Sequence, residues 1–202
     1  MATPSVLTPK ARLSFPALDK PRANKKDPSK PPRYEATLLI PKTPGCTRVQ
    51  DDPAMKALVA EFCRVRDEKY PNPATRPKGL HNPFLDGDKE DASWTGMAGY
   101  AGHWFIRTWN KNLPAYRNEW KNPCLADKFY AGCHVFGAVN CFAFVTDEKS
   151  GFSFSLNGVL FAGEGERFGS GGGNDSDDAF AAVPVEDKPV AAAPQSKGDD
   201  YF

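Results

Sequence analysis

No stretch of the chain approaches the roughly 20 consecutive apolar residues that a bilayer-spanning helix needs. The N-terminus, Met1-Ala2-Thr3-Pro4, has no basic region followed by an apolar run, so no export signal is legible. Cysteine is sparse, with five residues in 202 at irregular spacing. A chain of this length buries a core without disulfide staples, so free thiols in a reducing cytoplasm are expected. Cys46, Cys63, Cys124, Cys133 and Cys141 never form a C-x-x-C pair. Cys133 and His134 are adjacent, which in a strand points them to opposite faces and away from a shared ion. Gly163-Glu164-Gly165-Glu166 has neither the lysine nor the helix of a phosphate loop. No Ser/His/Asp or Cys/His arrangement has a local motif. No catalytic residue, metal ligand or cofactor is therefore assigned. The enzyme alternative is a metal-dependent nuclease, with Asp86, Asp88, Glu90 and Asp91 as ligands. An Asp-Gly-Asp stretch near His81 is more often a solvated turn.

Net charge is nearly absent, at +1, but its distribution is uneven. Residues 1–173 carry 24 basic and 18 acidic side chains, a net +6. Residues 174–202 carry 2 basic and 7 acidic side chains, a net −5. A basic body followed by an acidic tail makes the tail an internal competitor for whatever the body binds. The tail follows Gly169-Ser170-Gly171-Gly172-Gly173 and is rich in Ala, Pro and Asp. Such a composition buries little, so disorder is expected there. The domain division reads 1–168 for the body and 169–202 for the tail.

Within the body, Lys10–Phe15 alternates with period two, which turns Ala11, Leu13 and Phe15 toward a core. Asp19–Pro32 is proline-rich and basic, a loop rather than strand interior. Arg33–Ile40 is a second strand, stopped by Pro41. Asp51 and Asp52 offer a cap, and Pro53 suits a first helical turn. Met55, Leu58, Val59 and Phe62 then share one helical face, in a helix that runs to about Lys69, before Pro71. Residues 71–101 read as irregular. Strands return at His103–Trp109, Phe129–Val145, Phe152–Leu156 and on to Phe161. About five strands and one helix fit a small Greek-key barrel of the OB type with large insertions, or a β-sandwich.

The faces of these strands suggest chemistry. His103, Phe105, Arg107 and Trp109 share one face of their strand. In the following strand, Cys133, Val135, Gly137, Val139 and Cys141 make an interior face, while Tyr130, His134, Phe136, Asn140 and Phe142 make a mixed one. Rings mixed with His and Asn form a poor dry core and a good stacking platform, because a ring accepts a base of any identity. Lys10, Arg12, Lys25, Lys26, Lys111 and Arg117 are placed to follow phosphates, and Tyr116 interleaves with them. Rings on both faces of a strand are also often buried under an inserted helix or loop. The neighbouring cations tip the reading toward binding.

Asp127-Lys128-Phe129-Tyr130-Ala131-Gly132-Cys133-His134-Val135 resembles the fY-x-G-x-x-V strand of a phage single-stranded DNA-binding protein family once filed as a domain of unknown function. Leu80–Asp88, Gly151–Val159 and Gly165–Gly169 extend the similarity, in order, across about residues 5–170. The resemblance implies a mainly β, OB-fold-like Greek-key barrel with one inserted helix and long loops. It also implies non-enzymatic coating of single-stranded DNA in phage replication and recombination, in the cytoplasm of the infected bacterium. The ending Asp199-Asp200-Tyr201-Phe202 is similar to the acidic, aromatic-terminated tails of phage and bacterial single-strand binders. That similarity implies recruitment of replication proteins such as a DNA polymerase or helicase-primase. A homodimer is a further expected partner, a membrane is not. A protein-interaction module that binds no DNA is the remaining alternative.

Overall fold

A computed structural model of the chain describes residues 5–23, 29–90, 92–146 and 149–169. Eight strands follow one another: β1 (Val6–Leu7), β2 (Ala11–Arg22), β3 (Arg33–Pro41), β4 (Phe84–Asp86), β5 (His103–Asn110), β6 (Ala115–Arg117), β7 (His134–Val145) and β8 (Ser150–Gly163). One α-helix, α1 (Lys56–Lys69), lies between β3 and β4. Five strands close a ring in the order β2, β3, β5, β8, β7 and back to β2. Within it β5 and β8 run parallel, whereas the other four pairings are antiparallel. This is the OB-like barrel. The short strands β1, β4 and β6 add to β7, β5 and β8. With two or three residues each, they are too short to show alternation in the sequence.

The interior follows from the period of two. Leu13, Leu38, Ile106, Val135, Val139, Phe154 and Leu156 are all fully buried. Helix α1 covers one side. Asp52 caps the short 3-10 turn Pro53–Met55 that leads into it, accepting a hydrogen bond from the Ala54 amide at 2.9 Å. The helix inserts Leu58, and Phe62 meets Phe84 and Phe152 edge-on at 5.6 and 5.1 Å.

Strand β2 departs from the sequence expectation twice. It runs on through Pro16 and Pro21 to Arg22, where Arg22 still pairs with Arg33. Beyond Leu13, which still exchanges backbone bonds with Gly132 and Cys133, only β3 pairs with it among the described residues, so this half is an edge, where proline removes no ladder bond. Phe15, expected inside, is 52% exposed. A bulge between Ser14 and Ala17 inserts an extra residue and turns the ring outward. Strand β7 begins at His134 rather than Phe129. Residues 129–133 form a tight turn instead, with Gly132 at φ +106° under the 164–168 segment. A Cβ on Gly132 would sit 2.1 Å from the Glu166 carbonyl oxygen.

A second small core lies outside the barrel. The loop 87–102 folds over the outer face of β3 and β5, burying Leu39, Tyr100 and Phe105. Tyr100 and Trp94 meet Phe105 edge-on at 4.9 and 5.2 Å. The loop is fastened by Lys42, which is ion-paired to Asp86 and, at 2.7 Å, to Asp88; Asp88 also accepts from the Gly102 amide. It covers only the Phe105 end of β5 and leaves the Trp109 end open.

Candidate nucleic-acid interface

Beyond the loop's edge, the outer faces of β5, β8 and β7 form the floor of a cleft of about 550 Å³. Trp109 of β5, Ser153 of β8, and Phe142 and Phe144 of β7 line it. Alternation puts these residues outward, since their neighbours Thr108, Phe154 and Cys141 point into the barrel. Lys30 and Pro31, before β3, and Thr146 and Lys149, between β7 and β8, line its sides, together with Arg33 and Lys111. In an OB barrel the loops that correspond to these two help hold single-stranded polymers.

The rings are fixed by one another. Trp109 meets Phe142 edge-on at 5.3 Å, and the Arg33 guanidinium lies 4.6 Å above the Trp109 ring. His81 reaches the cleft through a parallel bridge to Gly151, and its ring stands 5.9 Å from Phe144. Four cationic side chains line the cleft, and no carboxylate among the described residues does. A surface of partly exposed rings bordered by cationic side chains suits a polyanion with flat, stackable groups.

A second cavity of about 410 Å³ adjoins the first and shares Arg33 and Trp109 with it. Arg22, Glu35 and Arg107 also line it, and Arg22 and Glu35 are ion-paired at 2.7 Å.

The structure distributes the sequence-selected residues over several places. Trp109 and Lys111 lie in the first cleft, and Arg107 with Trp109 in the second. Lys10, Arg12, Tyr130 and His134 gather elsewhere, around the 164–168 segment. Arg12 donates to the carbonyls of Gly132 and Glu166 and lies 4.2 Å over the Phe168 ring, so it ties the chain down. The Tyr130 hydroxyl donates to Glu164, a bond that raises its pKa, and its ring lies 4.1 Å beneath Arg167. Partial burial, with Lys10 and Arg12 nearby, holds His134 below the ordinary histidine pKa. His103 donates through Nδ1 to the Ala101 carbonyl at 2.7 Å. Arg117 is exposed on β6 and Phe136 is half-buried on β7, both away from the cleft lining.

Two rings chosen for stacking are core instead. Phe105 is completely buried under the 87–102 loop. Tyr116 is buried in the main core, its hydroxyl donating to the Leu18 carbonyl at 2.7 Å, and burial pushes its pKa up to about 12. Neither meets a base without unpacking the protein. Lys25, Lys26 and the tail residues Asp199, Asp200, Tyr201 and Phe202 lie outside the described residues. Arg33, His81, Phe144 and Lys149 escaped the sequence selection, whereas Phe142 belongs to the mixed face read there. Alternation from Phe142 to Phe144 could have found the second phenylalanine. Nothing local marks His81.

Asp86 and Asp88, the core of the nuclease alternative, are occupied by Lys42. Hydrogen bonds from Lys42 and the Gly102 amide hold the Asp88 carboxyl below the usual carboxylate range. Among the described residues, no group of three or more His, Cys, Asp or Glu side chains gathers as a metal site would require.

Comparison with known proteins gives consistent matches. Residues 4–190 match the model of a family described as the single-stranded DNA-binding protein of Enterobacter phage Enc34. A putative protein p50 from Acyrthosiphon pisum secondary endosymbiont phage 1 is 29% identical over 168 residues, covering 80% of this chain and 84% of that protein. The solved structure of the bacteriophage Enc34 single-stranded DNA-binding protein in complex with single-stranded DNA superposes with a TM-score of 0.62 at 22% identity, over 81% of this chain and 88% of that one. Gp2.5, a single-stranded DNA-binding protein encoded by bacteriophage T7, superposes with a TM-score of 0.56 at 12% identity, over 85% of this chain and 98% of that one. At these identities the two structures share the fold with this chain.

Proposed function

The chain belongs to the Enc34 phage single-stranded DNA-binding protein family, and from that membership we propose that it binds single-stranded DNA without catalysing a reaction. The observation that carries this reading is the first cleft, where Lys30, Arg33, Lys111 and Lys149 surround Trp109, Phe142 and Phe144 with no described carboxylate among them. The cations meet phosphates and the rings meet bases. Since every base has a stackable face, the binding is indifferent to sequence.

The biological role proposed is coating and protection of single strands during phage DNA replication and recombination, in the host cytoplasm. The division of labour gives residues 1–168 the DNA and residues 169–202 the proteins. The acidic tail, ending Asp199-Asp200-Tyr201-Phe202, recruits replication proteins such as a polymerase or helicase-primase and competes with DNA for the cations. Pairing with a second copy completes the set of partners.

Fluorescence anisotropy with labelled oligothymidine tests the reading, beside duplex DNA and RNA of equal length. Four phosphate contacts predict a log–log salt slope of about −3, from about −0.7 each. Absence of a salt-dependent shift would refute single-strand binding. Shortening of the labelled strand in Mg²⁺ or Mn²⁺ would refute the non-enzymatic part.

A further inference from the structure

Phe15 combines two unfavourable features. Its backbone has a φ of +47°, in the left-handed region that a bulky side chain rarely adopts. Its ring is 52% exposed to water. A glycine or asparagine at this bulge would remove the first cost, and a polar residue the second. Nothing in the packing of the barrel accounts for the phenylalanine, since the ring belongs to neither core cluster. Outliers of this kind collect at sites where structure is held for a purpose.

The ring's surroundings suggest the purpose. Phe15 lines one side of the second cavity, and Met97, 40% exposed, and Arg107 line it as well. The floor is the outer face of β3 and β5 around Thr37, which pairs with Arg107. Among the described residues, three arginines line the space against a single carboxylate, Glu35, which is paired with Arg22. The cavity is continuous with the first cleft through Arg33 and Trp109.

We infer that the second cavity is a further nucleotide station on the same strand, in which Phe15 stacks on a base and Arg107 meets a phosphate, with Trp109 at the junction. The inference rests on the single-strand binding proposed above and extends its path along the barrel. Charge complementarity and continuity with the first cleft select the same DNA strand as occupant. The bulge holds the ring over the groove before DNA arrives, so no rearrangement is needed on binding.

Phe15→Gly is the discriminating variant, because glycine accepts the positive φ and removes only the ring. It should fold with an unchanged or higher melting temperature. Affinity is measured on dT4 and dT16, which bracket the roughly 4–16 nucleotides that an OB fold covers. Phe15→Gly should weaken dT16 by about five- to 150-fold, the range of one stacked base, and leave dT4 unchanged. Phe15→Tyr should restore dT16 binding. The salt slope should stay constant in Phe15→Gly, whereas Arg107→Gln should flatten it by about 0.7 on dT16 alone. Wild-type affinity of Phe15→Gly for dT16, or an equal loss on both lengths, overturns the second station. If Trp109→Ala then still loses affinity on both lengths, single-strand binding at the first cleft stands without it. If the unaltered protein binds neither oligonucleotide, both ideas fall together.

Discussion

Trp109→Ala separates folding from binding on quantities visible in the structure. The indole meets Phe142 edge-on at 5.3 Å and carries Arg33 at 4.6 Å above its face. Losing the aromatic pair costs about 0.5–1.5 kcal/mol, and losing an exposed cation–π contact about 0.5–1 kcal/mol. The folded state should therefore weaken by about 1–2.5 kcal/mol, against the roughly 5–15 kcal/mol typical of a domain, and remain populated. Loss of one stacked base costs a further 1–3 kcal/mol of binding, about five- to 150-fold in Kd. A urea titration measures the first quantity, and anisotropy with oligothymidine measures the second. Trp109→Phe keeps a ring and should recover most of the affinity. The salt slope should not change, because no charge is removed. Intrinsic fluorescence gives an independent reading. Trp104 is buried, Trp94 packs on Phe105 under the loop, and neither Trp94 nor Trp120 lines the cleft, so quenching by DNA should fall most with Trp109. Unchanged affinity in a folded Trp109→Ala protein would refute the stacking argument. A flattened salt slope in that variant would show that the indole acts through the phosphate contacts instead.

Other positions give sharp expectations. Arg33→Gln should flatten the log–log salt slope by about 0.7 while leaving the preference for single strands over duplex intact, as salt titrations of both would show. Asp52→Ala should destabilise the fold by about 3 kcal/mol in denaturant titrations, combining loss of a helix cap with buried donors left unsatisfied. The Asp52 carboxylate accepts from the Thr43 amide at 2.9 Å and hydroxyl at 2.7 Å, the Ala54 amide at 2.9 Å and Trp104 Nε1 at 2.9 Å. Burial alone would raise its pKa, but these bonds outweigh burial and lower it. Its contribution is therefore complete above the unfolded value of about 4 and is lost as pH falls through the folded one, so Asp52→Asn should show a shallower acid limb in a pH series. His134 also has a lowered pKa, from burial first and then from Lys10 and Arg12. As a base that folds neutral, it lets stability drain away as pH falls below the unfolded value of about 6.5. His134→Gln should remove that part of the slope in thermal melts between neutral and mildly acidic pH.

Local pattern and covalent chemistry made much of this molecule legible. Asp52 and Pro53, followed by Met55, Leu58, Val59 and Phe62, determine a capped helix at its observed place. Alternation identifies the inward face of β7 and separates the two faces of β5, because a period of two is a property of the extended backbone itself. The order of short motifs from Leu80 to Gly169 points to the family, and the comparisons bear that out.

Alternation divides a strand into two faces but does not say what covers the outer one. Phe105 and Trp109 occupy the same outer face of β5, four residues apart. The 87–102 loop seals the first and stops short of the second, so one ring is core and the other is open. Tyr116 belongs to the core because parallel pairing with β8 brings it beside Phe129, 5.6 Å between ring centres. Phe15 reads as an interior residue until the register against Thr37 and Glu35 inserts a bulge and reverses it. His81 reaches Phe144 only through a bridge to Gly151, seventy residues along the chain. The amino-acid order by itself determined which segments extend, which one coils and which side chains could meet a nucleic acid. Tertiary packing alone decided which of them do face solvent, because exposure depends on distant segments arriving above a face.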